Sequence, residues 1–265
     1  MRKNTLPVHP EPAKDRNFVV ALAKGLDVLT CFNRQASRLT LSEVARLTGS
    51  TAASARRSLH TLHAMGYLES DGKRFWVAPR ALLVAHSYLA SRPIPQLAQP
   101  LLDALSERTR LSASLGKLLD DDAMIIARST ARRSLSTGLA IGSRLPAYCS
   151  ALGRVLLAAL PEREAERRLR AMARGALTPK TAYQLDELLP LLARCRREGW
   201  AASNEELEIG VRSLAVPACT RSGQPAGALS ISVRAERLSM AEFRSTFLPL
   251  LGKARDKLRE QLYTD

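Results

Sequence analysis

The chain has 265 residues, 46% hydrophobic and 25% charged, with 40 Lys and Arg against 25 Asp and Glu and a net charge of +15. That length suits two domains with separate cores, and the charge points to a polyanionic partner. No run of about 18 apolar residues occurs and the N-terminus lacks a continuous apolar stretch, so neither a membrane span nor secretion is expected. Cys31, Cys149, Cys195 and Cys219 are scattered without Cys-x-x-Cys spacing. This excludes a zinc module and a disulfide framework and fits a reduced, cytoplasmic setting.

Residues 1–17 place Pro7, Pro10 and Pro12 among Arg2, Lys3, Lys14 and Arg16. A flexible basic arm is expected there, either a loose tail or an arm entering a minor groove. From Phe18 the run FVVALAKGLDVLTCFNR sets Val19, Leu22, Leu26 and Leu29 at helical spacing, which would supply the third wall of a small helical core. Leu39–Val77 then reads as helix, tight turn, helix and β-hairpin. Thr40 and Glu43 form a capping box, Gly49 ends the first helix and Thr51 caps the second.

In that second helix Ala55, Leu59 and Leu62 fall on one side, and Ala53, Arg56, Arg57 and His60 on the other. Thr51, Ala52, Ala53 and Ser54 would allow close approach to base edges, with Arg56, Arg57 and His60 behind them. Lys73 and Arg74 beside the Asp71-Gly72 turn would reach the DNA backbone. Taken singly these charges read more readily as a solvated face. The order of capped pair, glycine turn and wing is what favours a winged helix-turn-helix over residues 18–79. Residues 1–90 hold 13 Lys and Arg against 6 Asp and Glu, and residues 91–265 hold 27 against 19, so positive density is higher in the opening third.

Residues 80–94 carry RALLVAHSYLASR, an apolar linker helix ending before Pro93 and Pro95. Its stripe of Leu82, Leu83, His86 and Leu89 or Ala90 is expected to pack against a second copy, with His86 a packed or interface residue. In residues 95–265 a helix over Leu97–Leu111 precedes strands at Ser112–Leu119, Ala123–Thr130 and Ser134–Ile141. Asp120-Asp121-Asp122 lacks the spaced oxygens of a calcium loop and reads as a solvated hairpin turn. Gly142–Leu160 passes from loop to helix with Ser150 as cap, and arginine-rich helices follow at Pro161–Arg174 and Gln184–Glu198. Beyond Trp200, NEELEIGVRSLAVPACT leads into a strand. After a turn at Gly223, Pro225–Val233 alternates Ala228, Ser230 and Ser232 against Leu229, Ile231 and Val233. A last helix covers Ser239–Leu262. The fold class is α+β.

All four histidines (His9, His60, His63, His86) precede residue 91, and neither a phosphate loop nor a nucleophile elbow is present. No catalytic residue, metal or cofactor is expected, and the chain does not read as an enzyme. Cys149, just before a helix N-terminus, keeps open a thiol-redox sensor or small-molecule enzyme with a DNA-binding head; an apolar pocket wall is the plainer reading. Helix-start N–H groups near Ser150, the hydroxyls of Ser213, Ser230 and Ser232, and Arg128 and Arg212 if they point inward, suit an anionic ligand. Arg212 is equally suited to pinning the acidic loop at Glu205–Glu208.

The segments LTLSEVARLTG, ARRSLHTLHAMGYLE, GSRLPAYCSALGRVLLAAL, NEELEIGVRSLAVP and GALSISV together resemble the IclR family of bacterial transcription regulators from Phe18 to the C-terminus. The resemblance implies a winged helix-turn-helix joined by a linker helix to a GAF-like effector-binding domain, bound to double-stranded operator DNA as a dimer or tetramer. The middle motif is similar to the branch controlling aromatic-acid breakdown, whose members respond to protocatechuate, 4-hydroxybenzoate or β-ketoadipate. It implies a pocket formed by Ala147, Tyr148, Cys149, Ser150, Ala151, Leu152, Gly153, Asn204, Glu205, Val211, Ser213, Ser230 and Ser232.

Overall fold

The computed structural model describes residues 16–33, 35–130 and 138–262. Most of the basic arm, and of the strand expected over Ser134–Ile141, lies outside these; the described residues 138–141 form no strand. The chain divides into two units, Met1–Ser91 and Arg92–Asp265.

The first unit runs α1 (Val20–Thr30), β1 (Leu39–Thr40), α2 (Leu41–Thr48), α3 (Ala52–Ala64), β2 (Leu68–Ser70), β3 (Arg74–Val77) and, past a short 3-10 turn, α4 (Leu82–Ser91). Local chemistry sets the helix boundaries. The Glu43 N–H donates to Thr40 Oγ1 at 3.3 Å and the Thr40 N–H to Glu43 Oε2 at 2.8 Å, closing the capping box of α2. Gly49 ends that helix at φ 62°, the left-handed conformation that costs glycine least. The wing is antiparallel, in the strand order β1-β3-β2, with Leu68 opposite Val77 and Leu39 opposite Phe75. Val28, Leu39, Val44, Ala55, Leu59 and Leu68 close the core.

The α1 stripe corrects an expectation. Val19, Leu22 and Leu26 are 61%, 62% and 51% exposed, while Val28 and Cys31 are the buried residues of this segment. A three-helix core this small accepts only a narrow line of α1, leaving the longer apolar stripe outside it. In α4 no residue is buried; Leu82, Leu83 and Val84 are exposed, and so is His86.

The second unit runs α5 (Pro93–Thr109), β4 (Ser112–Leu119), β5 (Asp122–Ser129), β6 (Arg144–Pro146), α6 (Ala151–Ala158), α7 (Glu162–Ala171), α8 (Leu185–Glu198), β7 (Ala201–Asn204), β8 (Val211–Cys219), β9 (Pro225–Arg234) and α9 (Met240–Gln261). Pro93 sits in the first turn of α5 instead of marking a break, because a missing N–H costs nothing at N1. The helix therefore starts before Leu97, and the boundary between units falls at Ser91/Arg92 instead of after residue 94. The antiparallel sheet has the order β6-β5-β4-β9-β8-β7. One core cluster joins α6, α7 and α8 to Ala123, Ile125, Ala215 and Ala228. The other joins α5 and α9 to Leu115, Leu214, Val216, Leu229 and Ile231. The aspartate turn has Asp120 at φ 51°, and Arg144 bridges it through Asp120 and Asp122 at 3.3 and 2.9 Å.

Candidate functional site

In the first unit, Thr51 caps α3 by accepting the Ser54 N–H at 3.2 Å. Ala52, Ala53, Arg56, Arg57 and His60 are exposed, whereas Ser54 is buried, so its side chain leaves the proposed reading face. Arg57 borders a groove of about 790 Å³ between α1 and α3, flanked by Ser54 and Thr61, and so stands at the rim of the face formed by Ala53, Arg56 and His60. The wing tip is preset by Asp71, whose Oδ1 accepts the N–H groups of Lys73 and Arg74 at 3.0 and 2.7 Å. Those bonds, Arg74 first, hold the Asp71 carboxyl below its usual range. Both basic side chains are exposed. Arg38, which the sequence reading passed over, lies 4.2 Å above the Trp76 ring of the wing.

In the second unit, strand register assembles a floor of hydroxyls. Ser203, Ser213, Ser232 and Ser112 stand opposite one another across β7, β8, β9 and β4. The next row toward α6 is Ala201, Ala215, Ser230, Ser114 and Arg128. Residues opposed in a ladder share a face, so one side of the sheet presents both rows. The same side carries α6, since a Cβ on Gly116 would meet Leu152 Cδ1 at 3.3 Å. Arg128 Nη1 donates to Ser114 Oγ at 2.7 Å, and burial pushes its pKa down. Ser203 Oγ donates to the Cys149 carbonyl at 2.8 Å, tying the floor to the loop before α6. Ser112 Oγ is buried, with the residue 2% exposed, and has no hydrogen-bond partner among the described residues.

The loop before α6 is set by close packing. Ala147, Tyr148, Cys149, Ser150, Ala151, Leu152 and Gly153 are all buried. Tyr148 Oη donates to the Gly175 carbonyl at 2.7 Å. Ser150 Oγ accepts the Gly153 N–H at 3.1 Å and donates to the Pro146 carbonyl at 2.8 Å, so its cap is complete. Cys149 is fully buried, and burial raises Cys31 and Cys195 to about 11, far from thiolate chemistry at neutral pH.

Of the remaining expected pocket residues, Val211, Ser213, Ser230, Ser232 and Arg128 share the floor side by register parity. Arg212 and Asn204, paired across β7 and β8, take the opposite face. Arg212 Nε donates to Asn204 Oδ1 at 2.7 Å and Nη1 to the Ala235 carbonyl at 2.9 Å, with the Leu238 carbonyl as a further acceptor. Arg212 is thus a strut for the strand ends and not an inward anion ligand. Glu205 takes φ 60°, a strained value for a non-glycine residue. Its carboxylate accepts Lys180 Nζ at 2.6 Å and the Gly210 N–H at 3.1 Å, which lowers its pKa, Lys180 leading. It builds the loop.

The sequence reading also missed Ser112, Ser114 and Ser203, although alternation in SASLGKLL marks the first two. A further omission is the buried pair of Arg154 and Glu206. Nη1 and Nη2 of Arg154 reach the two carboxylate oxygens at 2.7 and 2.5 Å, and Nε donates to the Tyr148 carbonyl at 3.0 Å. A lone arginine in the apolar run ALGRVLLAAL is the signal that could have found it.

Comparison with known proteins bears on both units. Residues 21–72 match the IclR helix-turn-helix domain, and residues 86–259 match the family described as bacterial transcriptional regulator IclR C-terminal. The Pca regulon regulatory protein of Pseudomonas putida is 37% identical, covering 97% of this chain and 91% of its own. The p-hydroxybenzoate hydroxylase transcriptional activator of Acinetobacter baylyi is 32% identical, covering 96% and 95%. Among solved structures, a transcriptional regulator from Rhodococcus sp. RHA1 superposes with a TM-score of 0.79 at 39% identity, covering 92% of this chain and 98% of its own. A double mutant of the PobR inducer-binding domain from Acinetobacter, complexed with 3-hydroxybenzoic acid, gives 0.60 at 28% identity, covering 63% and 98%.

Proposed function

The chain belongs to the IclR family of bacterial transcriptional regulators, and from that premise we propose that it senses a small organic acid and controls genes of aromatic-acid breakdown. The observation that carries the sensing half is the two-row serine floor with Arg128 at its end. A carboxylate engages Arg128 by charge-assisted hydrogen bonds while the ligand's remaining oxygen groups exchange hydrogen bonds with Ser213, Ser230, Ser232 and Ser112 Oγ, which has no partner among the described residues. The hydroxybenzoic acid in the PobR inducer-binding domain and the name of the A. baylyi activator support that choice of chemistry. Protocatechuate, 4-hydroxybenzoate and β-ketoadipate are the candidates to try first.

For the output half, α3 enters the major groove. Ala52, Ala53, Arg56 and His60 meet base edges, Arg57 and Thr51 stand at the rim, and Lys73 and Arg74 hold the phosphate backbone. The exposed apolar stripes of α1 and α4 support assembly into a dimer, or a tetramer built from dimers. Effector binding shifts the population between sensor conformations and so respaces the two reading heads. The protein works in the cytoplasm without catalysis or cofactor.

Fluorescence anisotropy with DNA from the chain's own promoter region tests this reading. Binding should fall steeply with salt and change its affinity when one of the three acids is added. Absence of a shift at low salt would remove the regulator reading, and indifference to all three acids would remove the effector reading.

A further inference from the structure

The outer edge of the six-stranded sheet holds a second feature, apart from the serine floor. Strand β7 has β8 on one side and, among the described residues, no strand on the other. There α8, β7 and the start of α9 enclose a groove centred on the Trp200 indole. The guanidinium carbons of Arg194 from α8 and Arg244 from α9 stand 5.5 and 5.7 Å from the ring centroid. Two lobes of about 370 and 670 Å³ share these three residues. Leu191, Ala202 and Met240 wall the smaller lobe, and Asn204 opens onto it instead of onto the floor.

The charge of the groove is unevenly satisfied. Arg154 at the back is closed by Glu206, and Arg194 is bonded to Glu198 at 2.9 Å. Arg244 has no carboxylate within 4.0 Å among the described residues and stands over the indole ring. The smaller lobe, walled by Leu191, Ala202 and Met240 beside Arg154, Asn204 and Glu206, joins apolar surface, a flat ring and the uncompensated Arg244 guanidinium, the form of a small-ligand site. Its chemistry fits a molecule with a flat apolar body and one carboxylate: the body lies along Trp200, Leu191 and Met240, and the carboxylate takes Arg244 in a two-point bond. We propose that this groove is a second binding site, for an aromatic carboxylate, independent of the serine floor.

The test uses the full chain carrying Trp76→Phe, which leaves Trp200 as its only indole, with benzoate as the probe. Saturable quenching of Trp200 fluorescence is expected, and acetate at equal concentration should not reproduce it. Arg244→Ala should weaken binding about tenfold, with Arg244→Lys recovering part of the loss. A lesion in the floor, Ser230→Val, should leave the quenching curve within about twofold, since independent sites do not couple. Loss of quenching in Ser230→Val but not in Arg244→Ala would assign the signal to the floor and overturn the proposal. Absence of saturable quenching, or a Trp200 signal that follows protein concentration and ignores benzoate, would overturn it too. Calorimetry on the unsubstituted chain gives a check free of Trp76→Phe: a class of benzoate sites must disappear with Arg244→Ala, and persistence of every class refutes the second site.

Discussion

Gly153 lies against Ala147 so closely that a Cβ on the glycine would stand 2.2 Å from the alanine Cα and 2.4 Å from its carbonyl oxygen. No side chain can give way there, because the obstacle is backbone. Gly153→Ala must therefore push α6 off its loop, at a cost of about 1–3 kcal/mol or more. A calorimetric melt should show the sensor unit destabilised; an unchanged melting temperature would mean that the loop yields freely.

Breaking the buried pair should be worse than removing it. Arg154→Met leaves Glu206 buried against Ala182 N–H without its guanidinium, and about 3–5 kcal/mol of destabilisation is expected. The double substitution Arg154→Met with Glu206→Leu should recover a substantial part. Denaturant melts of the four proteins give the coupling, and simple additivity would refute a direct pair.

If the floor binds the effector as proposed, a substitution at Ser112 should separate ligand binding from folding. Its buried hydroxyl has no partner among the described residues, and relief of such a group stabilises. Ser112→Ala should leave the free protein as stable or raise it by up to about 1 kcal/mol. The same change should shrink the thermal shift given by the effector acid. An undiminished shift would take Ser112 out of the floor's binding surface.

Acid should loosen the loop that Glu205 anchors. Lys180, followed by the Gly210 N–H, holds the Glu205 carboxyl below its ordinary value of 4.5. A depressed folded pKa adds stability that is complete above the ordinary value and is lost as pH falls through the folded one. Lys180→Met should lower stability at neutral pH, change it little in strong acid, and flatten the dependence below 4.5. Parallel stability–pH curves for the two proteins would contradict this.

Arg56 and Lys73 should differ in kind on DNA. Arg56→Ala should cost about 1–3 kcal/mol on the preferred site and relax sequence preference, as loss of a base contact does. Lys73→Ala should weaken all sites alike and reduce the salt slope by about one. Uniform weakening by Arg56→Ala would reassign it to the backbone.

The reading head was legible because its signals are local: a capping box, a capped second helix and an Asp-Gly turn each act within four residues. The α1 stripe misled because periodicity shows which residues share a side and not which side is buried. The serine rows span β4 to β9, so their assembly depends on register between strands more than a hundred residues apart. Arg212 and Ser213 were both offered to one pocket, yet neighbours in a strand face opposite ways. Parity alone would have assigned one of them elsewhere.

The hydroxyl floor also bears on how ligand preference can change over generations. Exchanging Ser for Ala at one row position alters a single hydrogen-bonding group, while the backbone ladder beneath it stays intact. If the floor binds the effector as proposed, Arg128 would meanwhile keep the requirement for an acid. On that reading, descendants of one sensor could move between differently substituted ligands by single-codon steps, each step leaving a folded protein for selection to act on.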